Sequence, residues 1–170
     1  MDTKTAGQHG SSVPGAAAPP DQALAVGQVY LRPGFLIRRA HQINTSMFSK
    51  MTGGATNNQF GVMWVLSCEG EVDQTTLTRC LCLDKTTIGL VVRILEKKGW
   101  IRRAASTVDR RQTRVSLTEE GHAAFRELLA SGEAVQRSLL ANLSLDEQRT
   151  LTELLTKLVG DLPSSEPIGK

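Results

Sequence analysis

Aromatic residues make up only 4% of the 170-residue chain: four phenylalanines, two tryptophans and one tyrosine. The apolar content is mostly Leu, Val, Ile and Ala, which favours helices over a sandwich or barrel. Cysteine is scarce. Cys68, Cys80 and Cys82 are odd in number and clustered, which argues against a disulfide framework and fits a reducing cytoplasm. No run approaches the roughly 18 apolar residues of a membrane span. The start lacks a charged segment followed by an apolar stretch, so no secretory signal is expected. His9, His41 and His122 lie far apart, and Cys-x-Cys alone has no strong zinc spacing, so no metal is expected. Nucleophile elbow, phosphate loop and paired His–carboxylate motif are all missing, and Gly7, Gly10, Gly53 and Gly54 make no phosphate cradle. Neither an enzyme nor a cofactor is therefore expected.

What is present is an uneven charge. Between residues 73 and 118 there are ten basic residues, Arg79, Lys85, Arg93, Lys97, Lys98, Arg102, Arg103, Arg110, Arg111 and Arg114. Only Asp73, Asp84, Glu96 and Asp109 oppose them. Residues 119–170 carry five basic and nine acidic side chains. A basic middle followed by an acidic third points to a polyanion-facing module on a solvated scaffold. A merely charged helical surface is the plainer alternative.

Residues 1–27 are rich in Gly, Ala, Ser, Pro and Gln and read as a disordered arm, with order beginning near Val29–Leu31. Pro33 suits a first helical turn. Leu36, Ala40, Ile43 and Met47 then form one apolar stripe of a helix over 33–51, widened by Phe35, Phe48 and Met51 and ended by Gly53-Gly54. Thr56-Asn57-Asn58-Gln59 reads as a capping box that opens a second helix. A third helix starts near Asp73 with Leu77 and Leu81 inward. Asp84 caps a fourth, whose buried face is Ile88, Val91, Val92 and Leu95. After Gly99 the period changes. Residues 100–103 and 114–117 are β-compatible and read as a two-stranded ribbon with a long basic tip. Thr118 caps a long helix with the stripe Phe125, Leu128, Gly132, Val135 and Leu139, and Glu119 and Glu120 sit at its positive end. Ser144-Leu145-Asp146-Glu147 is a second capping box, opening a helix that carries Leu151, Leu154, Leu155, Leu158 and Leu162.

The expected fold is mainly α with a small β-ribbon: a winged helix–turn–helix with long dimerisation helices. Its parts are an arm (1–27), an N-terminal dimerisation helix (28–54), a DNA-binding lobe (55–118) and C-terminal dimerisation helices (119–170). A short helix braces a second one, whose N-terminal end enters the roughly 12 Å major groove of double-stranded DNA. Lys85, Thr86, Gly89 and Arg93 lie on or near the face opposite the buried one. Arg110 at the ribbon tip is placed to enter a minor groove. Arg79, Arg102 and Arg114 are candidates for phosphate contacts.

Three segments at fixed spacing carry a resemblance: Gly99-Trp100-Ile101-Arg102-Arg103, Asp109-Arg110-Arg111, and Leu117-Thr118-Glu119-Glu120-Gly121. Over residues 31–162 the chain resembles the multiple-antibiotic-resistance regulator (MarR) family. That resemblance implies a homodimeric winged-helix transcription regulator, usually a repressor released by a small ligand or an oxidant. It implies that Asp109 and Arg111 brace the wing, with Arg111 also near phosphate, and that Arg110 enters the minor groove. One departure stands out: position 90, often basic or polar in the family, is Leu90.

Residues 31–42 (LRPGFLIRRAHQ) resemble a narrower subgroup that controls aromatic-acid catabolism. The resemblance implies an aromatic carboxylate effector, such as a hydroxybenzoate, or its thioester. An aromatic carboxylate needs a cationic fork and an apolar slot. Arg38 or Arg39 is the candidate fork, Phe35, Phe60 and Trp64 the slot, and His41 or Gln42 the partner of a ring hydroxyl. A solvated or intersubunit arginine is the plainer reading of either cation.

Two alternatives remain at this point: an oxidant-sensing repressor and a sequence-tolerant architectural DNA binder. The first helix has no cysteine, and Cys68 reads as a small core residue. A small ratio of specific to nonspecific affinity would favour the architectural reading. Dimerisation is expected, from the first helix and the last two, because a winged-helix core cannot also bury the stripes of Phe125–Leu139 and Leu151–Leu162. A palindromic operator follows from a two-fold dimer.

Overall fold

The computed structural model describes residues 26–105 and 113–160. The chain divides into two units, Met1–Arg38 and Arg39–Lys170.

In the first unit, α1 (Val26–Val29) is a single turn. The described helix precedes the Val29–Leu31 at which order was expected to begin. The rest of the expected arm, residues 1–25, lies outside the described residues. Leu31 and Arg32 donate to the Gln28 and Val29 carbonyls, and α2 (Pro33–Met51) starts at Pro33. Proline has no N–H to leave unpaired in a first turn. The Tyr30 and Phe35 rings meet edge to face at 5.2 Å.

In the second unit, α2 ends at the glycine pair, where Gly53 and Gly54 have φ of 64° and 98°. The Thr56 hydroxyl accepts from the Gln59 N–H, and the Gln59 side chain accepts from the Thr56 N–H, so the capping box opens α3 (Asn57–Glu69). A short strand, β1 (Glu71–Asp73), follows and leads into α4 (Gln74–Leu81) and α5 (Lys85–Lys97). Asp73 and Asp84 accept from Thr76 and Thr87 N–H groups at 2.8 and 2.9 Å, each capping its helix. Strands β2 (Ile101–Ala105) and β3 (Thr113–Leu117) form the ribbon. Two helices close the chain, α6 (Glu119–Leu139) and α7 (Leu145–Val159).

The expected two-stranded ribbon is a three-stranded antiparallel sheet of order β1-β3-β2. Val72 sits opposite Val115, and Ile101 opposite Leu117. All four are buried, so the sheet's inner face joins the core. That core is built from Val62, Met63 and Leu66 of α3, Leu77 of α4, the four expected residues of α5, and Phe125, Leu128 and Val135 of α6.

The α6 stripe, expected to need a partner for its burial, is thus largely covered within the protomer, where it packs against α3. Two helices contribute little to the core. Phe48 is the one buried residue of α2, and α7 has none. Leu154 and Leu158 are 61% and 65% exposed. Cys68, expected inside, is exposed. The buried face of α3 runs through Gln59, Val62, Met63 and Leu66, and position 68 lies about 200° round the helix from Leu66. Among the described residues, no helix is long and apolar enough to cross a membrane.

Candidate nucleic-acid interface and effector cavity

The turn between α4 and α5 is tight. Cys82 takes the left-handed conformation, φ 50°, and its N–H returns to the Thr78 carbonyl. Asp84 then starts α5. The Thr87 hydroxyl donates to its second carboxylate oxygen at 2.6 Å. That hydroxyl, with the Thr87 N–H, holds the Asp84 carboxyl below the usual carboxylate range. A lowered folded-state value means that the cap's contribution is complete above the ordinary carboxylate range and is lost as pH falls through the lowered value. We therefore expect acid unfolding of Asp84→Asn to be less steep than that of the wild type over that window. Superimposable acid titrations of thermal stability would show that the cap does not couple to folding.

Each helical residue advances about 100°. Ile88, Val91, Val92 and Leu95 are buried, so the outward face of α5 is centred on Thr86, Arg93 and Lys97, with Leu90 beside them. Lys85, Thr86 and Arg93 are exposed, and Gly89 is half-buried. Arg79, in the last turn of α4, is exposed as well.

The wing root is tied down on both sides. Arg103 pairs with Glu96 of α5 at 3.0 Å, and the Arg102 Nε donates to the Ser116 hydroxyl at 3.0 Å. Arg114 donates to the Glu71 carbonyl and fastens β3 to β1. That bond gives Arg114 a structural tie beside the phosphate contact expected of it. Arg114 is half-buried and Arg102 exposed, and each spends one donor within the sheet. Asp109, Arg110 and Arg111 lie outside the described residues.

Phe60 and Trp64 project from α3 towards α6. Their rings meet edge to face at 5.5 Å, and Phe48 and Phe125 complete the cluster at 5.3 and 5.8 Å from Phe60. Beside it lies a cavity of about 440 Å³, lined by Phe48, Phe60, Trp64, Leu129, Gly132 and Val135, with Asn44, Asn57, Glu133 and Gln136 at its edges. It is apolar with a few polar groups and within the size range of small-molecule sites. Gly132 keeps it open, since a Cβ there would meet the Phe60 ring at 3.4 Å.

The other expected ligand residues are not gathered in this cavity. His41 and Gln42 line a shallow depression formed by α2 alone, and Arg39 and Gln42 line another. The cause is that α2 is covered at little beyond Phe48, so its polar residues face outward in the protomer. In the first unit, the Arg38 guanidinium lies over the Phe35 ring at 5.3 Å.

Sequence reasoning missed Asn57, Glu133 and Gln136, which meet only once α3 and α6 pack. It also missed Lys98. Its ammonium sits 4.4 Å over the Trp100 ring and 3.5 Å from the buried Gln59 Oε1, at a second cavity of about 460 Å³ that also includes Glu127. Burial raises the Cys80 thiol above its ordinary value, which makes it a poor oxidant sensor. No group of three or more potential metal ligands occurs among the described residues.

A helix–turn–helix followed by a sheet that extends into a basic ribbon defines a winged-helix DNA-binding protein. Residues 55–113 match the model of the MarR family. The chain is 32% identical to the multiple antibiotic resistance protein MarR of Salmonella typhimurium over 108 residues, covering 61% of this chain and 73% of that one. Among solved structures, it is similar to a probable transcriptional regulator of Pseudomonas aeruginosa, with TM-score 0.73 and 38% identity over 75% of this chain and 96% of the other. It is also similar to Bordetella bronchiseptica BpsR, whose DNA binding is regulated by 6-hydroxynicotinic acid, with TM-score 0.73 and 25% identity over 78% and 96% of the two chains. The chain belongs to the MarR family and is a DNA-binding transcription regulator, not an enzyme.

Proposed function

We propose that the protein is a cytoplasmic homodimeric repressor of aromatic-acid catabolic genes. An aromatic carboxylate such as a hydroxybenzoate would release it from a palindromic operator. The observation that carries this reading is the aromatic-walled cavity between α2, α3 and α6. Its volume suits a single-ring acid, and Glu133 at its edge offers an acceptor for a ring hydroxyl. The hydroxy-acid effector of BpsR adds support. The resemblance of residues 31–42 to regulators of aromatic-acid catabolism, the hydroxybenzoate-responsive MobR among them, points the same way.

The cavity's lining includes no arginine or lysine; the assignment of the carboxylate fork to Arg38 or Arg39 rests on the resemblance of residues 31–42 alone. The exposed apolar residues of α2 and α7 support the dimer: Leu36, Ile43, Leu154, Leu155 and Leu158 would be costly to leave in water. The two recognition helices would then meet half-sites whose centres are about one DNA turn apart. For the DNA contacts we propose Lys85, Thr86, Gly89 and Arg93 in the major groove and Arg79, Arg102, Arg111 and Arg114 at phosphate. Arg110 is assigned to the minor groove, and Asp109 holds Arg111.

The test is a mobility shift on the DNA upstream of the protein's own gene, with a panel of benzoates and hydroxybenzoates. Release by at least one is expected; retention with every acid would overturn the effector class. Arg38→Ala should leave operator affinity near normal and weaken the effector roughly 10- to 150-fold, the cost of a lost charge-assisted bond. A loss confined to Arg39→Ala would move the assignment to Arg39.

A further inference from the structure

We infer that Leu90 reads the C5 methyl group of thymine, so that the operator is recognised in part by an apolar contact in the major groove. This rests on α5 being the recognition helix.

The four inward residues of α5 are all buried, whereas Leu90 is 54% exposed. It stands about 30° from the centre of the outward face, among Thr86, Arg93 and Lys97. No other large apolar side chain of this helix is exposed to that degree. The cations beside it, Arg93 and Lys97, make this face attractive to a polyanion and unsuited to an apolar protein partner. A leucine cannot hydrogen-bond a base edge. Of the four bases, only thymine carries an apolar group, its C5 methyl, into the major groove. Thr86 lies one turn earlier on the same face, with a methyl group of its own. Gly89 lies at the edge of this face, half-buried, where an added Cβ would meet only the Gln74 side chain, at 4.0 Å. The hydroxyl of Thr87 is turned away from this role, since it donates to Asp84.

The experiment uses the full chain. Its preferred duplex is selected from random double-stranded DNA, and each thymine is then replaced singly by deoxyuridine, which removes the methyl and keeps every hydrogen-bonding group. Affinity is read by fluorescence anisotropy at fixed salt. In the wild type, one position per half-site should weaken binding about fourfold, the effect of one buried methyl-sized group. Leu90→Ala should bind the thymine duplex more weakly and lose the distinction at that position. Leu90 is exposed, so this variant should fold, and its circular dichroism and melting temperature check that it does. The inference is overturned if no deoxyuridine position matters to the wild type, or if the same loss persists in Leu90→Ala. Enrichment of no sequence at all would strike instead at α5 as a sequence reader, and the inference would fall with it.

Discussion

Gly121→Ala should lower the melting temperature by roughly 6–12 °C. A Cβ at position 121 would stand 1.9 Å from the Trp100 carbonyl oxygen and 2.8 Å from its carbon. Both are backbone atoms, so no rotamer relieves the clash. The Trp100 oxygen is also fixed from the other side, since it accepts the Thr118 N–H at 3.0 Å. The Thr118 hydroxyl is likewise held. It donates to the Gly99 carbonyl at 2.6 Å and accepts from the Gly121 N–H at 3.0 Å. Relief requires moving the start of α6 away from the root of β2, which breaks these bonds together. Overpacking against rigid backbone costs about 3 kcal/mol or more, and each kcal/mol shifts the midpoint by about 2–4 °C in a chain of this size. Gly34→Ala is the control. Its Cβ meets nothing within 4 Å, and alanine is the better helix former. Equal melting temperatures for Gly121→Ala and wild type would show that the start of α6 gives way freely.

Gly132→Leu should remove the response to an aromatic effector, weakening it by 100-fold or more, while leaving operator affinity within about threefold. A leucine grown from this position enters the cavity between the Phe48 and Phe60 rings, whose atoms lie 3.7 and 3.4 Å from the ideal Cβ. The added side chain would occupy the space in which a ring has to sit. An aromatic ring that loses its slot forfeits most of its apolar burial and its orientation together. Residue 132 belongs to α6, outside the proposed DNA-contacting elements, so the protein should stay bound to its operator. Effector affinity is read by calorimetry and release by mobility shift. An undiminished response would place the effector elsewhere, with the cavity beside Lys98 and Trp100 the next to probe by Lys98→Met.

The helices were legible because their ends are chemical. Thr56, Asp73, Asp84, Thr118 and Ser144 each accept from the third helical N–H, as the capping pattern requires. Strand β1 was not legible. Three residues, two of them acidic, show no alternation, and they are a strand only because Val72 finds Val115 more than forty residues later. The tie made by Arg114 was hidden for the same reason, since its acceptor is a carbonyl of that unseen strand. The aromatic half of the cavity, Phe60 and Trp64, was visible as a cluster on one helix. Its polar edge was not, because Asn57 and Glu133 come together only through packing. The motif Leu117-Thr118-Glu119-Glu120-Gly121 was recognisable as a pattern, while the need for glycine became apparent only from the proximity of Trp100.

The sheet order β1-β3-β2 also limits how a ligand can act. β1 runs directly into the cap of α4, β3 is shared by both neighbours, and β2 is fastened to α5 through Arg103 and Glu96. Recognition helix and wing root are thus fixed to one another at several points, with no loose joint between them. Swinging the wing aside while the helix stays in its groove would mean tearing hydrogen bonds out of a ladder. For a dimer, the freedom that remains is in how far apart two such rigid heads are carried. A ligand would then work as the screw of a pair of calipers does, setting the span between the points and leaving their shape unchanged.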